Sequence, residues 1–233
     1  MALAGRHNCV KLLDIVKEGE VFCLVMEHVA ASEYRKLLEI LTPRDCKFYI
    51  YQVLKGLHYA HSNGIMHRDI KPQNVIIDHD KKKVRHRLSQ LRIIDWGLGE
   101  FYLPEKDYNV RVSSRYFKGP ELLVTYEYYH YSLDIWSVGV MMAGMIFNKE
   151  PFFKGADNYD QLEQITRVLG TEELFVYLNK YNIKLEAALE RILGDHRSQK
   201  LSSFIKEQNK HLVTPDALDL LSKMMQYDHV YVC

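Results

Sequence analysis

The sequence predicts an α+β fold: a mostly helical body with a little β structure at its start and inside a central loop region. Three observations carry this. Two short apolar runs near the N-terminus flank a turn signal. Beyond residue 32, apolar residues recur at helical spacing through most of the chain. Between them and a second helical stretch, residues 65–121 break into short apolar pieces separated by loops. The chain has 233 residues, 47% hydrophobic and 26% charged, with a formal net charge of +1. That balance excludes intrinsic disorder and gives no global positive field for a general nucleic-acid binder.

Taken in order, Val10 to Val16 and Val21 to Met26 read as two strands around Glu18-Gly19-Glu20. A helix follows near Ser32 to Leu41. A second is marked by Thr42 as N-cap, Pro43 at the first helical position and Asp45 three residues after the cap. Its apolar positions Ile50, Val53, Leu54 and Leu57 share one face, and Asn63-Gly64 supplies the stop. Asn74 to Ile77 and Leu91 to Ile94 are short strand-like pieces. Ser132 to Phe147 is apolar nearly all round and predicts a buried helix. Asp157 to Leu169 and Pro215 to Met225 are amphipathic helix candidates. No run is long enough for a transmembrane span, and the N-terminus lacks a charged region followed by a long apolar one. Cys9, Cys23, Cys46 and Cys233 are too scattered for a zinc ribbon or a disulfide framework, so the expected setting is reducing, cytoplasm and nucleus, without membrane association.

The chemistry concentrates in His67-Arg68-Asp69-Ile70-Lys71-Pro72-Gln73-Asn74. Asp69 is a carboxylate able to take the proton of an attacking hydroxyl. Lys71 is a point charge suited to a phosphoryl group, and Asn74 offers a carbonyl oxygen to a hard cation. A second signal is Ile93-Ile94-Asp95-Trp96-Gly97, a carboxylate at the end of an apolar strand before a tight turn. A third is Gly119-Pro120-Glu121. Between the second and third, Arg111, Arg115 and Lys118 are spaced by four and three with no acid among them, which suits acidic side chains or, more plainly, a solvated basic loop.

On these residues the chain resembles the catalytic alpha subunits of casein kinase 2. The similarity rests on the His67 to Asn74 string and the D-W-G at Asp95. It extends to the run Tyr108 to Leu123, Lys149-Glu-Pro-Phe-Phe153, Asp157 to Leu162 and Tyr227-Asp-His229, spanning about Asn8 to His229. The resemblance implies a protein-kinase-like fold, with residues 1–29 as a remnant of the N-terminal lobe and hinge and residues 30–233 as the C-terminal lobe. It implies transfer of the γ-phosphoryl of ATP or GTP to Ser/Thr in acidic protein substrates. Carried over position by position, Asp69 is the base, Lys71 the phosphate contact, and Asn74 and Asp95 the Mg²⁺ ligands. Arg111, Arg115 and Lys118 read acidic substrate positions. Met26 is the gatekeeper, Glu27 to Val29 the hinge, and Ile76 and Ile94 the floor of the adenine pocket. Arg68, Glu121 and Asp134 are structural, Asp134 bracing the catalytic loop.

The same comparison exposes departures. No G-x-G-x-x-G occurs, and the family's glycine-rich loop, strand lysine and helical glutamate are expected upstream of Met1. Lys11 and Lys17 take neither role. The chain stops at Val230 to Cys233, where the family continues into a segment whose Arg pairs with the counterpart of Glu121, so the C-terminal lobe is expected to be incomplete. Val84 to Gln90 reads as a seven-residue insert that, with Lys81 to Lys83 and Arg92, forms a solvated basic run without specific nucleic-acid binding. Gln73 stands where the family usually has His. The expected consequence is a chain that binds ATP poorly alone and tends to aggregate. The regulatory beta subunit of the family docks on the N-terminal lobe, and only Lys11 to Met26 of that surface remains. The competing reading is a catalytically impaired scaffold that holds substrates or partners without turnover.

Overall fold

The computed structural model describes Gly5, residues 7–79 and residues 90–232. The chain opens on an antiparallel hairpin of β1 (Leu12–Glu18) and β2 (Val21–Met26). Gly19 at its tip has φ +62°, the left-handed conformation that glycine adopts without penalty. The first strand begins two residues later than the sequence predicts and carries a register shift between Leu12 and Asp14. All six residues of β2 are exposed.

The helical body starts at α1 (Tyr34–Ile40) and α2 (Pro43–Ser62). Thr42 caps α2 as the sequence predicts, and Asp45 closes a reciprocal capping box: the Asp45 N–H donates to Thr42 Oγ1 at 3.2 Å and the Thr42 N–H donates back to Asp45 Oδ2 at 3.1 Å. Gly64, at φ +76°, turns the chain out of α2. Four short strands follow. β3 (Ile65–Met66) pairs with β6 (Glu100–Phe101), and β4 (Val75–Asp78) pairs with β5 (Gln90–Ile93), both antiparallel. Of the expected insert only Gln90 falls within the described residues, where it opens β5; the Lys81–Lys83 run and Cys233 lie outside them.

Beyond these lie α3 (Pro120–Leu123), α4 (Ser132–Phe147), α5 (Asn158–Leu169), α6 (Thr171–Lys180), α7 (Ala187–Ile192) and α8 (Pro215–Met224). α4 spans the predicted residues and is buried along almost its whole length. It packs against α2 on one side and α8 on the other, forming the centre of the core. Gly139 permits the α8 approach: a Cβ there would lie 2.9 Å from Met224 Cβ. Asp157 and Thr214 cap α5 and α8 with their side chains, accepting from Asp160 N and Ala217 N. α6 and α7 were not predicted. Among the described residues no helix is long and apolar enough to cross a membrane.

Candidate active site

The site lies where β3 leaves the core and the chain loops toward β4. The 67–71 backbone is fixed by one carboxylate from the buried helix. Asp134, 1% exposed, accepts from His67 N at 2.8 Å through Oδ2 and from Arg68 N at 2.8 Å through Oδ1. His61 Nε2 reaches the same Oδ2 at 2.8 Å. Burial alone would raise the Asp134 pKa, but the His61 hydrogen bond, with the charges and amides around it, holds it below the ordinary carboxylate value. The grip sustains a strained backbone, since Arg68 sits at φ +66°. Arg68 adds two further ties, Nε to Leu98 O at 2.7 Å and Nη1 to Tyr129 Oη at 3.2 Å. Asp134, expected to brace this loop, contacts its backbone directly, and Arg68, expected to be structural, ties it to Leu98 and Tyr129.

His67 joins the two halves of the site. Its Nδ1 accepts from Asp69 N at 3.2 Å and its Nε2 faces Ile94 O at 2.9 Å, so the ring is neutral with its proton on Nε2. Burial lowers its pKa, in keeping with that state. Its edge packs on Trp96, with ring centroids 4.5 Å apart.

Asp69 is nearly buried and its carboxylate is fully engaged. Lys71 Nζ donates to Oδ2 at 2.7 Å, and Asn74 Nδ2 to the same oxygen at 3.1 Å and to Asp69 O at 2.8 Å. Ser114 donates to Oδ1 through both its N–H (2.9 Å) and its Oγ (3.0 Å), while accepting from Lys71 Nζ at 2.8 Å. These contacts fix the carboxylate in orientation, as a general base requires. Ser114 carries no local signal of this part, since its hydroxyl lies 45 residues downstream of Asp69 and meets it only through the fold.

Asp95 stands in the left-handed region at φ +58°, exposed, its carboxylate accepting from Gly97 N at 3.3 Å. Ile94 N donates to Asn74 O at 2.9 Å, which ties the Asp95 turn to the Asn74 segment. Because the Asn74 amide nitrogen is committed to Asp69, its Oδ1 oxygen is the atom left for a cation. Among the described residues, no three His, Cys, Asp or Glu side chains form a metal cage. The Asn74 and Asp95 oxygens therefore fit Mg²⁺ brought in on nucleotide phosphates, an ion that keeps much of its shell from water and substrate.

The residues expected to hold the nucleotide base are less uniform. Val29 is buried, Ile76 and Ile94 are half-buried, and Met26 is exposed at the end of β2. The Glu27 side chain is occupied: Arg92 Nε donates to it at 2.7 Å and the Lys11 N–H at 2.9 Å. These outweigh burial and lower its pKa. A cavity of about 650 Å³ opens between the hairpin and the 96–101 turn, lined by Leu24, Met26, Trp96 and Phe101 among others. It shares only Met26 with the expected nucleotide set.

The three basic residues also divide. Arg111 and Arg115 are exposed, and Arg115 Nη1 rests on the carbonyls of Gly155 and Ala156. Lys118 does not join them on the surface: it is 9% exposed, donates to Val112 O, and burial lowers its pKa. Glu121 is 2% exposed and ion-pairs with no cation among the described residues, and burial pushes its carboxyl up to about 7.

A base carboxylate held by a lysine and an asparagine, and a second carboxylate on a following turn, are the working parts of phosphoryl transfer to a hydroxyl. The family model described as the protein kinase domain matches residues 1–230, and the chain belongs to the protein kinases.

Proposed function

We propose that this chain is a Ser/Thr protein kinase of the casein kinase 2 alpha type, transferring the γ-phosphoryl of ATP or GTP to Ser/Thr beside acidic residues. The observation that carries the reading is the Asp69 carboxylate, fixed by Lys71, Asn74 and Ser114 at the foot of a segment bearing exposed Arg111 and Arg115. Asp69 accepts the proton of the substrate hydroxyl as it attacks. Lys71, already against Asp69, is placed to neutralise charge on the group in transit. Bound Mg²⁺-nucleotide supplies the phosphoryl group and the metal's charge neutralisation. Asn74 and Asp95 would hold the ion. Arg111 and Arg115 favour carboxylates flanking the acceptor through charge-assisted contacts.

One observation favours the scaffold reading instead. The β1–β2 hairpin is exposed on both faces, so the nucleotide side of the site has little cover among the described residues. Phosphate transfer from radiolabelled ATP to an acidic Ser peptide, compared with a peptide whose acids are replaced by Gln, tests the proposal. Turnover that prefers the acidic peptide and falls about 10²–10⁴-fold in Asp69→Asn supports it. Peptide binding without turnover supports the scaffold, and equal turnover on both peptides overturns the acidic preference.

A further inference from the structure

The loop between Phe153 and α5 is fastened to the segment that carries Ser114. Gln161 of α5, fully buried, accepts from Gly155 N at 2.9 Å and donates to Tyr116 O at 3.3 Å. Arg115 Nη1 donates to Gly155 O at 3.4 Å and to Ala156 O. The approach requires glycine, since a Cβ on Gly155 would lie 2.4 Å from the Gln161 nitrogen. Lys154, the residue before it, is exposed, and its ammonium makes no hydrogen bond or ion pair among the described residues. The acids that follow are turned to their own segment. Asp157 accepts from Asp160 N at 2.9 Å, and Asp160 accepts from Ala156 N at 2.7 Å and Gln164 Nε2 at 3.0 Å. Arg111, Arg115 and Lys154 are thus three exposed cations without a carboxylate partner among the described residues, two on one segment and the third on a loop held against it.

We infer that Lys154 is a specificity-determining residue, binding a substrate carboxylate that lies two or more residues from the acceptor Ser/Thr. The inference rests on the acidic-peptide reading above and extends it to a residue outside the 111–118 segment. Ser114 marks the acceptor's end of the site, because its Oγ is 3.0 Å from Asp69 Oδ1. Arg115 follows Ser114 directly and its side chain spans to the 155–156 carbonyls, so Lys154 stands one Arg side chain farther from the base. An extended peptide advances about 3.4 Å per residue, and a stretched Arg side chain is about two such steps long. Lys154 therefore faces a more distant residue of the peptide than the acceptor's immediate neighbours. Its backbone is already fixed through Gly155, so binding has only the side chain to order. Both charges stay in contact with water, which limits the gain to a few-fold in affinity and makes it sensitive to salt.

Fluorescence anisotropy of the full chain with a labelled acidic Ser peptide reads binding whether or not turnover follows. The peptide is compared with versions in which one acid at a time becomes Asn, and with one whose acids are all Gln. Lys154→Gln should weaken the acidic peptide about two- to fivefold and the charge reversal Lys154→Glu about tenfold, while Lys154→Arg binds as the wild type does. The loss should disappear in one peptide only, that lacking a particular acid two or more residues from the Ser, and should shrink in about 0.5 M salt. A merely structural role would lower affinity for every peptide and leave no such coupling. The inference falls if Lys154→Glu binds the acidic peptide as tightly as the wild type, if its loss persists on the all-Gln peptide, or if the coupled acid is adjacent to the Ser. Weakening by Arg111→Gln but not by Lys154→Glu overturns this inference and leaves the acidic reading standing. A wild type that binds acidic and all-Gln peptides equally overturns both.

Discussion

Glu121→Gln should change the pH dependence of stability in a defined way. The Glu121 carboxyl is 2% exposed, without a cationic partner among the described residues, and burial raises its pKa from an ordinary 4.5 to about 7. A carboxyl whose folded value lies above its unfolded one favours the folded state while protonated in both states. Its cost appears as pH rises past 4.5, where only the unfolded chain ionises, and levels off above about 7. At about 1.4 kcal/mol per pH unit, the full cost of this site is about 3 kcal/mol. Glutamine is close to isosteric and never ionises, so the stability of the variant minus that of the wild type should grow by about that amount between pH 4.5 and pH 8. The difference curve also cancels groups common to both proteins. His229, which burial and His130 lower to about 4, loses stability on the acid side instead. Glu150, raised to about 7 by burial, acts in the same window as Glu121 but is common to both chains. Urea unfolding at pH 4.5, 6 and 8 gives the measurement. A difference constant across that range would refute a buried, unpartnered Glu121.

Three further outcomes are expected. Asp134→Ala leaves the His67 and Arg68 amides without their acceptor and should cost about 3–5 kcal/mol in urea unfolding, with activity lost as well. Ser114→Ala removes one of two donors to Asp69 Oδ1 and one of two acceptors for Lys71, while the Ser114 N–H and the Lys71–Asp69 contact remain. It should lower kcat about tenfold, with the melting temperature little changed, in steady-state phosphorylation. Thr42→Ala breaks the capping box of α2 and should cost about 1 kcal/mol of stability, read as a lower urea midpoint at unchanged slope.

What was legible in the sequence had local causes. Thr42, Pro43 and Asp45 specify a helix start among themselves, and the unbroken apolar face of Ser132 to Phe147 specifies burial whatever surrounds it. α6 was hidden because Gly170 serves twice: at φ +97° it ends α5 and leads directly into Thr171. A stop signal therefore masked the next start. In the site, the string from His67 to Asn74 announced its chemistry because its parts lie within eight residues. The contacts of Ser114 with Asp69, and of Arg92 with Glu27, join positions 45 and 65 residues apart. Only tertiary packing creates them, and no local spacing encodes them. Lys118 shows the reverse error. Its spacing from Arg115 suggested a shared basic surface, whereas the fold turns it inward to Val112 O.

The imidazole of His67 has a consequence for how the molecule breathes. One neutral ring accepts from the amide of Asp69 and donates to the carbonyl of Ile94, so it bridges the loop carrying the base and the turn carrying Asp95 in the core. The Ile94 N–H is itself held by Asn74 O, so the base loop and the Asp95 turn share two ties, one through the ring and one through the backbone. In hydrogen exchange the amides of Asp69 and Ile94 should both be slow, independently of the exposed hairpin, because loosening either segment strains these shared ties.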